Sequence, residues 1–146
     1  VIREATRDDI TELLRMGDAF AEATDLKAKV GYDRDSVERL FLQLIDSDGG
    51  ILLILDIDGP KGGAGGLVHP SIFNNAHLTG SELFWWVDPE WRGNGLSLFA
   101  GLEEAARAKG AQSWMMASVG IEDERLARIY RRAGYSPSDR NYIKVF

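Results

Sequence analysis

The sequence contains no cysteine, so neither a disulfide nor a cysteine nucleophile is available to it, and the softest metal ligand is missing. Histidine is nearly absent as well. His69 and His77 stand alone, and no His-Glu-x-x-His helix accompanies them, so a metal centre is not expected. No apolar run approaches the length of a bilayer span, the longest such stretches resembling Ile51 to Leu55, and Val1-Ile2-Arg3 does not begin a signal peptide. The expectation is a cytoplasmic protein with no membrane partner. Basic charge is in deficit, with 17 Lys and Arg against 23 Asp and Glu and a net charge of -6. That balance, without a basic stripe interleaved with aromatics, argues against nucleic acid as a partner and mildly favours cationic substrates. Repeats, linkers and low-complexity segments are also lacking.

What remains is a chain of 146 residues, 45% hydrophobic, enough for one domain with a real core, read as spanning 1–146. Ile2 to Ala5 reads as a strand, followed from Asp8 or Asp9 by a helix with Ile10, Leu13, Leu14 and Gly17 on one side. Val37, Leu40, Phe41, Leu44 and Ile45 recur at helical spacing, between Asp33 or Asp35 and Ser47-Asp48-Gly49-Gly50. Ile51 to Ile57 reads as a buried strand, Asp58 to Gly62 as a turn, Gly65 to His69 as the hairpin partner, and Glu82 to Val87 as a further strand. The glycine-rich stretch Gly59 to Gly66 is expected to be a mobile turn.

A helix after Gly95 carries Phe99, Leu102 and Ala106 on one stripe and stops at Gly110. Gln112 to Val119 returns as a strand, a helix buries Leu126, Ile129, Tyr130 and Ala133, and Asn141 to Phe146 closes the chain as a last strand. The helix joining Glu82–Val87 to Gln112–Val119 demands a parallel crossover in an otherwise antiparallel sheet. A wedge for an extended ligand opens where parallel neighbours part.

The most informative stretch is Trp85-Trp86-Val87-Asp88-Pro89-Glu90-Trp91-Arg92-Gly93-Asn94-Gly95-Leu96-Ser97, a strand running through an Arg/Gly turn into a helix. Backbone N–H groups at a helix start lack intrahelical partners and sit at the positive end of the helix dipole, so small residues there form a seat for a pyrophosphate. Two glycine-rich alternatives fail. No Gly-x-x-x-x-Gly-Lys-Ser/Thr run exists, and Leu98 occupies the place of the third glycine of a dinucleotide fingerprint.

Arg92-Gly93-Asn94-Gly95-Leu96-Ser97 resembles the Gln/Arg-x-x-Gly-x-Gly/Ala signature of the GNAT acyltransferase superfamily, with Ser97 as a departure that stays small and has a hydroxyl to offer a phosphate. A second segment, Asp123 to Tyr135, is similar to that family's Asn-x-x-Ala-x-x-Leu-Tyr-x-x-x-Gly-Phe: Tyr130 and Gly134 match, Ile129 and Tyr135 are conservative stand-ins, and Asp123 and Leu126 depart. An ionised Asp123 accepts hydrogen bonds where an amide also donates. Ile2 to Ile10 looks like the family's opening strand and helix entry.

The resemblance implies an α+β, three-layer fold: a mixed, mostly antiparallel sheet of roughly six or seven strands with a central parallel pair, flanked by about four helices. It also implies transfer of an acetyl group from acetyl-CoA to a primary amine, on a small molecule or a protein, by direct attack in a ternary complex. The alternative is a non-catalytic module that keeps the fold without turnover. By resemblance the cofactor lies against Trp85, Trp86, Val87, Arg92, Gly93, Asn94, Gly95, Leu96, Ser97, Asp123 and Tyr130, with a main-chain N–H near Val87 polarising the thioester and Tyr130 protonating the departing thiolate. Read from its helix alone, Tyr130 is instead a core residue with a tied hydroxyl.

Glu82 is the resemblance's carboxylate base, against the plainer reading of a solvated strand-end charge. Period-two alternation puts it with Phe84 and Trp86, opposite Leu83, Trp85 and Val87. His69, His77 or a water chain are rivals. Arg92 either contacts a phosphate or pins the turn by pairing with Asp88 or Glu90. Arg125, Arg128 and Arg132 form one face of the later helix, either reaching the nucleotide end of the cofactor or pairing with Glu122 or Glu124. Trp85 and Trp86 point to opposite faces, which suits a groove wall or a homodimer contact equally. The segments Thr24 to Tyr32 and His69 to His77 are the natural specificity elements.

Overall fold

Five consecutive aliphatic residues make β2 (Gly50–Asp56), a strand buried on both faces. Ile51, Leu53 and Leu55 point toward α4 (Gly95–Ala108), while Leu52 and Ile54 point toward α1 (Ile10–Ala23) and α3 (Arg34–Asp46). A doubly buried strand needs a helical layer on each side, and this one run sets the three-layer architecture. The computed structural model describes residues 1–118 and 123–146. Around β2 lie β1 (Ile2–Glu4), β3 (Pro60–Ser71), β4 (Asn74–Val87) and β5 (Ser113–Met115), in the order β1-β2-β3-β4-β5. All neighbours are antiparallel except β4 and β5, which run parallel through the α4 crossover. Leu98 and Leu102 of α4 are fully buried, each contributing about 1.5–3 kcal/mol. Two further helices are α2 (Leu26–Lys29) and α5 (Glu124–Arg132). No helix is long and apolar enough to cross a membrane among the described residues.

Several expectations are corrected. Among the described residues the sheet has five strands, not six or seven, and its parallel pair lies at an edge rather than at the centre. Asn141 to Phe146 has a strand-like pattern but no regular structure, with Tyr142, Ile143, Val145 and Phe146 exposed. The described sheet ends at β5, whose three residues offer little ladder for a further strand. The expected strand Gln112 to Val119 shrinks to that core, and Val119 lies outside the described residues. Helix α5 is half-buried rather than buried, and Ala133 beyond it is exposed.

The stretch expected to be a mobile turn is a buried strand from Gly62 to Gly66; only Ile57 to Gly59 turns, with Asp58 and Gly59 at positive φ. The glycines there make room for aromatics. A Cβ at Gly65 would sit 2.5 Å from the Phe84 ring, and one at Gly66 2.4 Å from the Trp114 ring. Likewise His69 to His77 is a β-hairpin closed at Ile72-Phe73, not a loop.

One buried charge anchors the N-terminal edge. Asp9, 6% exposed, accepts both Arg3 Nη atoms at 2.8 Å and the Thr6 amide at 2.8 Å, while Arg3 Nε reaches Asp56 at 2.7 Å. The Arg3 hydrogen bonds hold the Asp9 carboxyl below its ordinary value. Its stabilising effect is therefore present above the unfolded carboxylate range and is lost as pH falls through the lowered folded value. Asp9→Asn is expected to cost about 1–2 kcal/mol in denaturant titration at pH 7 and much less near pH 2.

Candidate active site

The site begins where β4 and β5 separate. Their pairing runs Thr79 with Ser113, Gly80 with Trp114 and Ser81 with Met115, then ceases, while β4 continues to Val87. At the point of separation β4 carries an irregularity: Gly66 faces Glu82 but Gly65 faces Phe84, leaving Leu83 as the extra, exposed residue of a bulge. The bulge reverses the face expected for Glu82. Phe84 and Trp86 pack toward α1 and α3, whereas Glu82 sits with Gly66 on the α4 side, the side of Trp85 and Val87. Strict alternation fails because one inserted residue shifts the phase of all that precedes it.

From that position Glu82 Oε2 accepts the Ala117 amide at 3.0 Å, and the Tyr130 hydroxyl donates to the Ala117 carbonyl at 2.7 Å. One residue of the chain following β5 thus links carboxylate and phenol. Burial raises the Glu82 carboxyl to about 7, the Ala117 hydrogen bond opposing the rise. Burial, with the Glu82 and Asp123 charges adding to it, pushes the Tyr130 phenol well above its usual value. Glu82, Asp123 and Tyr130 line a cleft of about 910 Å³ together with Trp114, Met116 and residues of the C-terminal segment.

Aromatic packing holds α5 in place. Trp85 stacks on Phe99 of α4 at 5.8 Å, and Phe99, Tyr130 and Tyr135 meet pairwise at 5.7–5.9 Å. Tyr135 also donates to Glu103 at 2.8 Å. Asp123 caps α5, its Oδ1 accepting from the Arg125 and Leu126 amides. Arg125, Arg128 and Arg132 are exposed on α5, and Glu122 lies outside the described residues.

The Arg/Gly turn is a separate wall, absent from the cleft lining. Pro89–Asn94 forms a 3-10 turn that runs directly into α4, with the Trp91 amide bound to Asp88 O at 2.8 Å and the Gly95 amide to Arg92 O. The helix start is thus less open than a free N-terminus, because the turn already uses some of its donors. Gly93, Asn94, Leu96 and Ser97 are exposed, and Gly95 is buried with its Cβ direction 3.6 Å from Trp85. A Cβ on Gly93 would meet nothing within 4 Å, so the turn's outer surface is open to a ligand. Val87 buries its side chain in the core, leaving its main chain as its only means of touching a substrate.

Arg92 pairs with neither Asp88 nor Glu90: Asp88 is held by Arg15 at 2.7 Å, and the Arg92 guanidinium lies 5.4 Å over the Trp86 ring. Trp85 and Trp86 do face opposite sides, Trp86 meeting Phe20 of α1 edge-on at 6.2 Å. His69 and His77 are away from the cleft lining, bound to Pro70 O and Ser113 Oγ. Sequence reasoning missed Ala117, whose role is purely main-chain, and Arg15, which carries no local signal. Proximity of Tyr135 was visible only in its match to the second family segment.

The chain matches the family model of the acetyltransferase (GNAT) family over residues 14–135 and belongs to that family. The same fold occurs in the ribosomal-protein-alanine N-acetyltransferase of Brucella melitensis biovar Abortus 2308, with a TM-score of 0.73, 15% identity, and coverage of 100% of this chain and 99% of that one. A Trypanosoma brucei acetyltransferase gives a TM-score of 0.71 at 18% identity, covering 100% and 99%. An aminoglycoside acetyltransferase from an uncultured soil metagenomic sample, in complex with sisomicin, gives 0.71 at 15%, covering 100% and 96%. No curated protein matches the sequence at a significant level.

Proposed function

We propose that the protein is an N-acetyltransferase that moves the acetyl group of acetyl-CoA to a primary amine by direct attack in a ternary complex. The observation that carries this reading is the meeting of Glu82 and Tyr130 across Ala117 at the parting of β4 and β5. An alkylammonium with pKa near ~10.4 costs about 4–5 kcal/mol to deprotonate at pH 7, so a base is needed before the nitrogen can attack. Glu82, titrating at about 7, is half ionised at neutral pH and takes that proton directly or through one water.

As the C–N bond forms and the C–S bond breaks, the sulfur gains negative charge. Tyr130, held protonated, donates to that sulfur. The main chain near Val87 supplies the donor to the carbonyl oxygen, and Arg92 with the open surface at Gly93 receives the diphosphate. Asp123, engaged in capping α5, serves the site by fixing the helix that carries Tyr130. The acceptors named for two of the neighbours, a ribosomal protein and an aminoglycoside, include both a protein and a small molecule, and the acceptor here is taken from that range.

Thermal unfolding with acetyl-CoA tests the reading. At 100 times its dissociation constant the ligand adds about 2.7 kcal/mol, a visible rise in midpoint. Gly93→Trp fills the open face of the turn without touching the core, so it is expected to abolish the rise while leaving the ligand-free midpoint within a degree or two, roughly the surface-substitution range. No rise at millimolar acetyl-CoA would leave a GNAT-fold module without this cofactor.

A further inference from the structure

Arg92 stands exposed on the turn, its guanidinium carbon 5.4 Å over the Trp86 indole. An aromatic face attracts the cation but leaves its in-plane N–H donors free and its charge uncompensated. An arginine held this way is ready for an anion. The obvious competitor is Asp88, four residues earlier at the start of the same turn, close enough along the chain for an ion pair that would neutralise Arg92.

Asp88 is already engaged. Its Oδ2 accepts Arg15 Nη2 at 2.7 Å, its Oδ1 accepts Arg15 Nη1 at 3.2 Å, and Oδ1 also accepts the Trp86 indole N–H at 3.1 Å. The Asp88 side chain is 13% exposed, so the pair with Arg15 is shielded rather than loosely solvated. The same carboxylate thus ties α1 to the turn and fixes the indole on which Arg92 lies.

We infer that Arg15 is a positioning residue for cofactor binding: by satisfying Asp88 in a two-pronged pair it keeps Arg92 on Trp86 and available to the diphosphate of acetyl-CoA. The inference rests on the acetyl-CoA reading above. Without Arg15, Asp88 keeps the Trp86 indole N–H and the field of Lys61 but loses its close cationic partner, and is then free to draw Arg92 off the indole and compete with the diphosphate for it.

The test is isothermal titration of the full chain with acetyl-CoA, with the ligand-free midpoint of every variant measured alongside. Arg92→Ala and Arg15→Gln are each expected to weaken binding roughly tenfold, the scale of one charge-assisted hydrogen bond. Adding Asp88→Asn to Arg15→Gln should restore affinity to within about threefold of wild type, since the competing charge is gone. Arg15→Gln should also add nothing to Arg92→Ala. A merely structural role for Arg15 would show the opposite pattern, with weakening that Asp88→Asn deepens and that persists in the Arg92→Ala background.

That opposite pattern overturns the inference, as does wild-type binding that Arg15→Gln leaves unchanged. If Arg15→Gln is too unstable to titrate, Arg15→Lys serves: it keeps a cation on Asp88, and affinity within about threefold of wild type supports the inference while a tenfold loss overturns it. A wild-type chain that binds no acetyl-CoA overturns the acetyl-CoA reading first, and this inference with it.

Discussion

Glu82→Gln is expected to lower acetyl transfer to a polyamine acceptor by about 10²–10⁴-fold at pH 8, the usual contribution of a positioned general base. Glutamine keeps the shape and can still accept the Ala117 amide, so the fold around the cleft should survive. The rate of the wild-type protein should rise with pH through about 7, where Glu82 ionises, and the variant should lack that limb. Stability supplies an independent readout. A carboxyl whose folded value lies above its unfolded value of 4.5 binds more protons when folded, so stability is greatest below that unfolded value and declines as pH rises through about 7. Glu82→Gln removes this decline, and its stability relative to wild type should grow from pH 5 to about pH 7 and then stay level to pH 9. Equal turnover by the two proteins across that range would assign Glu82 a structural role only.

Tyr130→Phe should reduce kcat about 10²-fold, the lower end of what a positioned proton donor supplies, with KM nearly unchanged. The ring contacts with Phe99 and Tyr135 are retained, whereas the donor to Ala117 O is lost. That loss costs about 1 kcal/mol of stability, far too little to unfold the chain. Because burial and the neighbouring carboxylates push the Tyr130 phenol well up, the wild-type rate should show no falling limb from it below about pH 10. Steady-state kinetics over pH 6–10 with free-thiol detection separates the two residues, since Glu82 moves the rising limb and Tyr130 moves only the plateau. A Tyr130→Phe protein with full kcat would mean that the leaving sulfur takes its proton from water.

Much of the fold was legible because its elements rest on local chemistry. The apolar periodicity of α1 and α3, the Asp33 cap before Arg34, and the positive φ of Gly110 after α4 and Gly134 after α5 are all written in short windows. The family segments around Arg92–Ser97 and Tyr130–Gly134 likewise depend on spacing along one strand end or one helix. Errors arose where a partner decides the outcome. Gly62 to Gly66 looks like a turn until Phe84 and Trp114 are seen covering it, and Asn141 to Phe146 reads as a closing strand but joins no ladder among the described residues.

The sequence by itself determined the buried strand β2 and the crossover that makes β4 and β5 parallel, because both follow from hydrophobic pattern and connection length, while the three-layer arrangement around them was implied by the family resemblance. Only the tertiary structure decided which way Glu82 points, that Ala117 joins it to Tyr130, and that Arg15 rather than Arg92 holds Asp88. A bulge changes the phase of a strand according to how its neighbour pairs, a main-chain bridge is independent of side-chain identity, and an ion pair between residues 73 positions apart has no local trace.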